Sequence, residues 1–425
     1  MLRLLEELAP LSRTLASADT DRALDIVAAR VPGARIEGYR TGSKAWSWTI
    51  PPRWELAKAE IRAGGRTLVS AAWHPLHVVN YSQPFRGSVT REELLAHLHT
   101  DPGRPDAIPF VFSFYEPKWG FCVPHAWLSR FDSASYEVEI DSRFEEGELK
   151  VLHCLIPGDS QETFVICADI CHPAQVNDSL TGLAAAVDIF QRLRARPQRK
   201  YSYLLLVVPE TIGSIAYLAN HPEIVARSVG GFFSEMLGTD GPLVGQRTRN
   251  GASYWDMAME SVLRDSGLEH RVVPFLKSAG NDEKVLDSPG VDIPSVSITR
   301  CPYPEYHSSD DNLALIQPAR LREARDVLQA FFDLIEKDYV CELSQPGPVF
   351  LSGHGLYPDW RSDPSLLPVW QAFLDVMYAI DGKSSALELA RKCGAKAGHV
   401  LYWTDAFCER GLAVRKPHVQ RRVRP

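Results

Sequence analysis

The period of the hydrophobic positions changes along the chain, and the changes mark its parts. Leu4, Leu5 and Leu8, then Ala23, Leu24, Ile26 and Val27, recur at helical spacing and predict two helices over residues 1–35, stopped by Pro32-Gly33. From about Lys44 to Cys154 the texture alternates and is rich in aromatics, as at Trp46, Trp48, Ile50 and residues 67–73, 110–115 and 136–140. It predicts strands, with Gly64-Gly65 and Glu145-Glu146-Gly147 as turns. Residues 160–340 then alternate strand-like and helix-like stretches, the pattern of an α/β domain. The runs 164–167, 204–209 and 231–234 are almost wholly apolar, as strands buried on both faces of a parallel sheet must be, and 291–299 is strand-like. Beyond a Pro- and Gly-bearing link at 344–348 and 352–355 lie three more helical stretches, 366–380, 385–393 and 397–411, and the basic run 414–417. Three short helices and a basic ribbon suggest a winged helix.

Acid and imidazole side chains stand just past the apolar runs. His172 and Asp178 follow the run 164–167 and precede a helix-like stretch at 180–193; Glu210 ends 204–209, Glu235 ends 231–234, and His307 follows 291–299 through 301–306. Ligands of open α/β folds gather beyond the carboxyl ends of the strands, so these segments are expected to deliver their side chains to one crevice. A neutral imidazole and a carboxylate at a strand-to-helix turn are ligand types for zinc, and the second oxygen of Asp178 can bridge to another ion.

Each residue also has a plain structural reading. Asp178 suits a helix N-cap, Glu210 an acid at a helix N-terminus, Glu235 a surface turn, His172 a turn beside Pro173 and His307 a loop packed on Tyr303 and Tyr306. The metal reading rests on the constellation rather than on any member. Acids within 308–311 are expected to orient the second ring nitrogen of His307. Asp282 and Glu283 either anchor a free α-amino group or solvate a loop, and His74 and His77 read as structural, His77 being the one with reach toward the cleft.

Composition narrows the class. The chain has 425 residues, 45% hydrophobic and 23% charged, which is enough for two or three domains with real cores. Its apolar N-terminus carries Arg3, Glu6 and Glu7 where a signal peptide needs a hydrophobic region, and no apolar run approaches the length of a membrane span, so a cytoplasmic location is expected. Eight dispersed cysteines fit reduced thiols better than a disulfide framework. The net charge is −7, yet residues 381–425 hold ten Lys or Arg against four acids. The acidic bulk disfavours nucleic acid and tolerates cationic or amino-terminal substrates. In the tail, Lys392, Lys396, Arg410, Arg415 and Lys416 suit phosphate contacts, but the recognition-helix position of a DNA reader is filled by Tyr402, Trp403, Phe407 and Cys408. Protein interaction or oligomer contact is the preferred reading of this module.

Several motifs together, Trp48-Thr-Ile-Pro-Pro-Arg-Trp54, Pro75-Leu-His-Val-Val-Asn-Tyr-Ser82, Trp119-Gly-Phe-Cys122, Cys171-His-Pro173, Asn177-Asp178, Pro209-Glu-Thr-Ile-Gly213, Asn281-Asp-Glu283 and Tyr306-His307, carry a resemblance. The chain resembles a bacterial family of aminopeptidase-like zinc hydrolases within the zinc exopeptidase superfamily. The resemblance implies an α/β fold with a mixed sheet flanked by helices, split into residues 1–43 and 155–343 by a β-rich insert at 44–154 and followed by a winged-helix domain at 350–425. It implies self-association and one or two zinc ions. His172 resembles the first histidine ligand, Asp178 the bridging aspartate of an Asp-x-x-x-Gly turn, Glu235 the later acidic ligand and His307 the last histidine. Glu210 resembles the general base, and Asp282, Glu283 and Tyr306 fall on the substrate side. The superfamily usually carries two consecutive glutamates at the base; here Thr211 follows Glu210, which implies a second zinc weakly held or absent. The expected activity is that of an aminopeptidase acting on small peptides or peptide-like metabolites with a free amino group. Two other readings are a DNA-binding or scaffolding regulator with a degenerate hydrolase domain, and a zinc amide deacylase of a biosynthetic intermediate such as an acylated amino sugar.

Overall fold

Alternate residues of the buried strands enter two different cores, which is why these runs carry almost no polar position. In a computed structural model describing residues 1–421, eight strands form one mixed sheet: β1 (Arg35–Arg40), β2 (Glu148–Ile156), β3 (Thr163–Asp169), β4 (Ser202–Val208), β5 (Ser228–Ser234), β6 (Leu243–Gln246), β7 (His270–Val273) and β8 (Ser295–Thr299). Their spatial order is β1-β2-β4-β3-β5-β8-β6-β7. The middle four, β4, β3, β5 and β8, run parallel, and antiparallel pairings attach β2 on one side and β6 on the other. Phe164, Ile166 and Ala168 of β3 pack with the helices Gly182–Ala195 and Pro318–Lys337, while Val165 and Cys167 pack with the helix Ile212–Asn220 on the opposite face. The sheet is therefore mixed and flanked by helices, as the resemblance implied.

The run 291–299 yields a strand only from Ser295, because Pro294 has no amide to give the ladder and Asp292 sits at φ 48°. Both N-terminal helices are present, at Leu2–Leu8 and Ala18–Ala28.

The aromatic region builds its own four-stranded antiparallel sheet from Arg53–Ala63, Arg66–Ser70, Phe85–Thr90 and Ser135–Glu145. Only Glu146 and Gly147 separate its last strand from β2, so the main sheet is re-entered at Glu148 rather than after residue 154. Residues 110–115, expected as a strand, are an extended loop instead. Their backbone partners are other loops: Phe110 N donates to His307 O (2.8 Å), Asn80 N to Val111 O (2.9 Å) and Ser113 N to Asn80 O (2.9 Å).

The C-terminal part has helices at Leu367–Gln371, Phe373–Ala379, Ala386–Cys393 and Ala397–Glu409, so the stretch 366–380 is interrupted at Ala372. A two-stranded ribbon pairs Tyr339–Leu343 with Ala413–Pro417. Among the described residues no helix is long and apolar enough to cross a membrane.

Candidate metal centre

Four loops meet beyond the carboxyl ends of the parallel strands, and hydrogen bonds between them decide where each side chain points. Past β3 the chain turns through His172. Beneath this turn the wholly buried Arg13 guanidinium donates to the carbonyls of Ile170 (3.2 Å) and Gln175 (2.8 Å). Burial pulls the Arg13 pKa down to about 10, against the attraction of Cys171, Asp169, Asp178 and Asp311, and it stays a cation at neutral pH.

Asp311 fixes the next turn. Its carboxylate accepts from the amides of Val176 (3.1 Å), Asn177 (2.6 Å) and Asp178 (3.0 Å) and from the Tyr303 hydroxyl (2.5 Å). Asp310 pairs with Arg104. The acids after His307 thus serve the Asp178 turn and the insert, not the His307 ring as expected from sequence. Asn177 and Thr181 in turn accept from the amides of Met236 (3.0 Å), Gly238 (2.8 Å) and Leu237 (3.0 Å), tying the Asp178 turn to the Glu235 turn. Glycine at 182 permits this approach, since a Cβ there would collide with the Ser234 carbonyl.

Strain is concentrated in the same loops. Thr211 has φ 65° and ψ −65°, with Ile212 N donating to Glu210 O at 2.7 Å, which is the strained form of γ-turn. Ala174, Met236 and His307 also have positive φ. Every one of the four loops therefore bends through a disfavoured conformation at or within two residues of an expected site residue, at a cost of about 1–3 kcal/mol each.

The donor atoms converge. One ring nitrogen of each of His172 and His307 and one carboxylate oxygen of Asp178 lie within 4.8 Å of one another. His307 Nε2 and Asp178 Oδ2 are 3.1 Å apart, yet both atoms are buried without a hydrogen-bond partner. Glu210 Oε2 is 3.5 Å from His172 Nε2, and Asp169 Oδ2 is 3.4 Å from His172 Nδ1. Two aromatic rings close the group: Tyr306 stacks on His307 with centroids 3.8 Å apart, and Phe110 stands edge-on to His172 (5.5 Å) and His307 (5.2 Å).

The electrostatics call for a cation. Burial opposes charge on His172, yet Asp178, Cys171 and Asp169 outweigh it and hold its pKa well above the usual value. Burial, with the charges of Asp178, Asp169, Glu283 and Glu210, pushes Glu235 well above the carboxylate range. Crowded carboxylates, two imidazoles and orphaned buried acceptors fit a divalent metal of the zinc type, for which imidazole and carboxylate are ordinary ligands. His172, Asp178 and His307 would hold it.

Of the other expected residues, Glu235 lies buried beside this group but outside its tight set, its Oε2 accepting from Asn281 Nδ2. Asp282 and Glu283, expected on the substrate side, are engaged by protein partners. Both are buried: Asp282 accepts from Thr211 N (3.0 Å) and Ser214 Oγ, Glu283 from Gln246 Nε2 (2.8 Å) and Asn281 N (3.2 Å). They are supports, and Lys284 is the neighbour that reaches Glu210, its Nζ 3.2 Å from Oε1. Tyr306 is 42% exposed beside His307, where a ligand can meet it. His77 is structural, its Nδ1 bonded to Cys122 O (2.8 Å) and its ring stacked on Trp127.

Sequence reasoning missed Asp169, Arg13, Phe110 and Lys284. Asp169 alone carried a readable signal, an acid ending an apolar strand, hidden because the strand was taken to stop at Cys167.

The comparisons agree with this architecture. Residues 2–338 match a family model described as a domain of unknown function, DUF4910. A Clostridium acetobutylicum protein, named for a role in polysaccharide biosynthesis and an aminopeptidase-like domain, is 31% identical over 414 residues, covering 95% of this chain and 93% of that protein. A crystal structure of a candidate peptidase from Clostridium acetobutylicum superposes with a TM-score of 0.88 at 29% identity, covering 98% and 96% of the two chains. A zinc aminopeptidase from Bacillus subtilis shares the fold, with a TM-score of 0.59 at 12% identity over 78% of this chain and 93% of that one.

Proposed function

Because the chain belongs to the DUF4910 family and has the aminopeptidase-like fold of the zinc exopeptidase superfamily, we propose that it is a metal-dependent hydrolase of peptidase type, acting as an aminopeptidase on small peptides or peptide-like metabolites. The observation that carries this reading is the convergence of His172, Asp178 and His307 with the Glu210 carboxylate 3.5 Å from His172 Nε2. Zinc held by His172, Asp178 and His307 would supply Lewis-acid chemistry, polarising the scissile carbonyl and making water more acidic.

The chain's own residues do the rest. Asp169 faces the far nitrogen of His172 and orients the ring. Glu210 Oε2 is placed to take a proton from water and to return it to the leaving amine. Phe110 and the Tyr306–His307 stack flank the group with aromatic surface.

A second reading has a specific motive, the polysaccharide-biosynthesis name of the Clostridium relative. It keeps the same residues and changes the substrate to an acylated amino sugar, releasing an acid instead of an amino acid. The regulator reading has less support: among the described residues, three of the five tail cations offered to phosphates, Lys392, Arg415 and Lys416, are paired with Asp381, Asp405 and Glu342.

The test is metal analysis of the purified protein, with wild type and Glu210→Gln assayed on aminoacyl-anilides, dipeptides and N-acylated amino sugars. The variant is expected to keep its metal and lose activity by about 10²–10⁴-fold, the usual worth of a general base. Full activity in the variant removes Glu210 from the chemistry, and the class of amide cleaved separates the two substrate readings.

A further inference from the structure

The two oxygens of Glu210 have different surroundings. Oε2 looks toward His172 Nε2, whereas Oε1 accepts from the Lys284 ammonium at 3.2 Å and from the Thr211 hydroxyl at 3.4 Å. Lys284 Nζ also donates to the Gly280 carbonyl at 2.6 Å, so the ammonium is held from two sides while about a third of the side chain stays accessible. The backbone that carries it is fixed by its neighbours. Asp282 binds Thr211 N, Glu283 binds Gln246, and Asn281 donates to Glu235. This short run therefore stitches the Glu210 turn to the Glu235 turn and leaves one positive charge beside the base.

Thr211 occupies the position where the resemblance places a second glutamate. Its γ-turn brings the hydroxyl to Glu210, and a hydroxyl brings no charge with which to hold a second divalent ion. Beside an overlapping group in which Asp169 and Cys171 approach His172 at Nδ1, the donors His172, Asp178 and His307 form one tight set. One ion is what they can share, and the charge on the other side of Glu210 is already supplied by Lys284.

Resting on the reading of Glu210 as the base of a metal centre, we propose that Lys284 is its positioning residue, taking the place of a second metal, so that the centre works with one ion. A carboxylate pinned at one oxygen by charge-assisted hydrogen bonds presents the other in a fixed direction, with no reorganisation needed at the moment of reaction. An ammonium suits this task because it is a compact charge on a flexible stem.

The experiment uses the full chain, saturated with zinc, freed of excess and weighed by native mass spectrometry, followed by steady-state assays on whichever amide the wild type cleaves. The expected results are one zinc per chain in wild type and in Lys284→Met, and a kcat for Lys284→Met lower by about 10–100-fold, the range for residues that orient catalytic groups, with KM little changed. Lys284→Arg is expected to recover part of the loss, which a purely structural role would not require. Two zinc ions in the wild type, or an undiminished kcat in Lys284→Met, overturn the inference and leave the hydrolase reading standing. A wild type that binds no zinc overturns both.

Discussion

Both carboxylate oxygens of Asp169 are buried without a hydrogen-bond partner, and one lies 3.4 Å from His172 Nδ1. A buried acid without a partner is costly unless the nitrogen beside it carries a proton toward it, and a His172 that binds metal through Nε2 does so. Asp169→Asn preserves the shape and removes the charge. Metal affinity is expected to fall by about 10–100-fold, measured by competition with a chelator, and an unchanged affinity removes Asp169 from this role. At this scale His172, Asp178, Glu210 and His307 were legible because each is an acid or imidazole just beyond an apolar run, a signal that survives in one dimension. Asp282, Glu283 and Lys284 were not, because three polar residues in a row say nothing about which way a single helical turn, Glu283–Leu286, will face. The two acids were buried by that turn and the lysine was left beside Glu210.

The parallel strands and their crossover helices were readable because burial on both faces leaves those strands no charged residue before the Asp169 that ends β3. The connections at 104–112 and 305–310 were opaque, since their partners are each other: Ser309 N donates to Ile108 O (2.8 Å) and Arg104 pairs with Asp310 and Glu305. The Asp178 turn is the element on which the centre most depends, and Asp311 holds three of its amides. Asp311→Ala leaves the buried amides of Asn177 and Asp178 unpaired, while Val176 N keeps the Asp311 carbonyl (3.2 Å), at about 1–3 kcal/mol for each lost acceptor that nothing replaces. The expected outcome is a urea midpoint well below that of the wild type together with loss of bound metal. A variant of wild-type stability shows that the turn is held by other bonds.

Across the whole molecule, Asp338 joins the C-terminal helices to the sheet domain. Its carboxylate accepts from Tyr254 OH (2.7 Å) and Leu387 N (3.0 Å) and faces His418 Nδ1 at 3.0 Å. Burial alone raises this carboxyl, but the His418 ring, the Leu387 amide and the Tyr254 and Ser385 hydroxyls outweigh it and hold its pKa below the usual range. The folded value is the depressed one, so the stability it adds is complete above the unfolded value of about 3.9 and is lost as pH falls through the folded value. Thermal melts of wild type and Asp338→Asn are therefore expected to differ most at neutral pH and to converge in acid below pH ~4; a gap independent of pH rules out this linkage. The insert has a firmer attachment. Its last strand runs into β2 across only two residues, and its 104–112 segment is bonded to the loop of His307. Any displacement of that segment has to carry the His307 loop along, so a change in the insert is felt directly among the convergent donors.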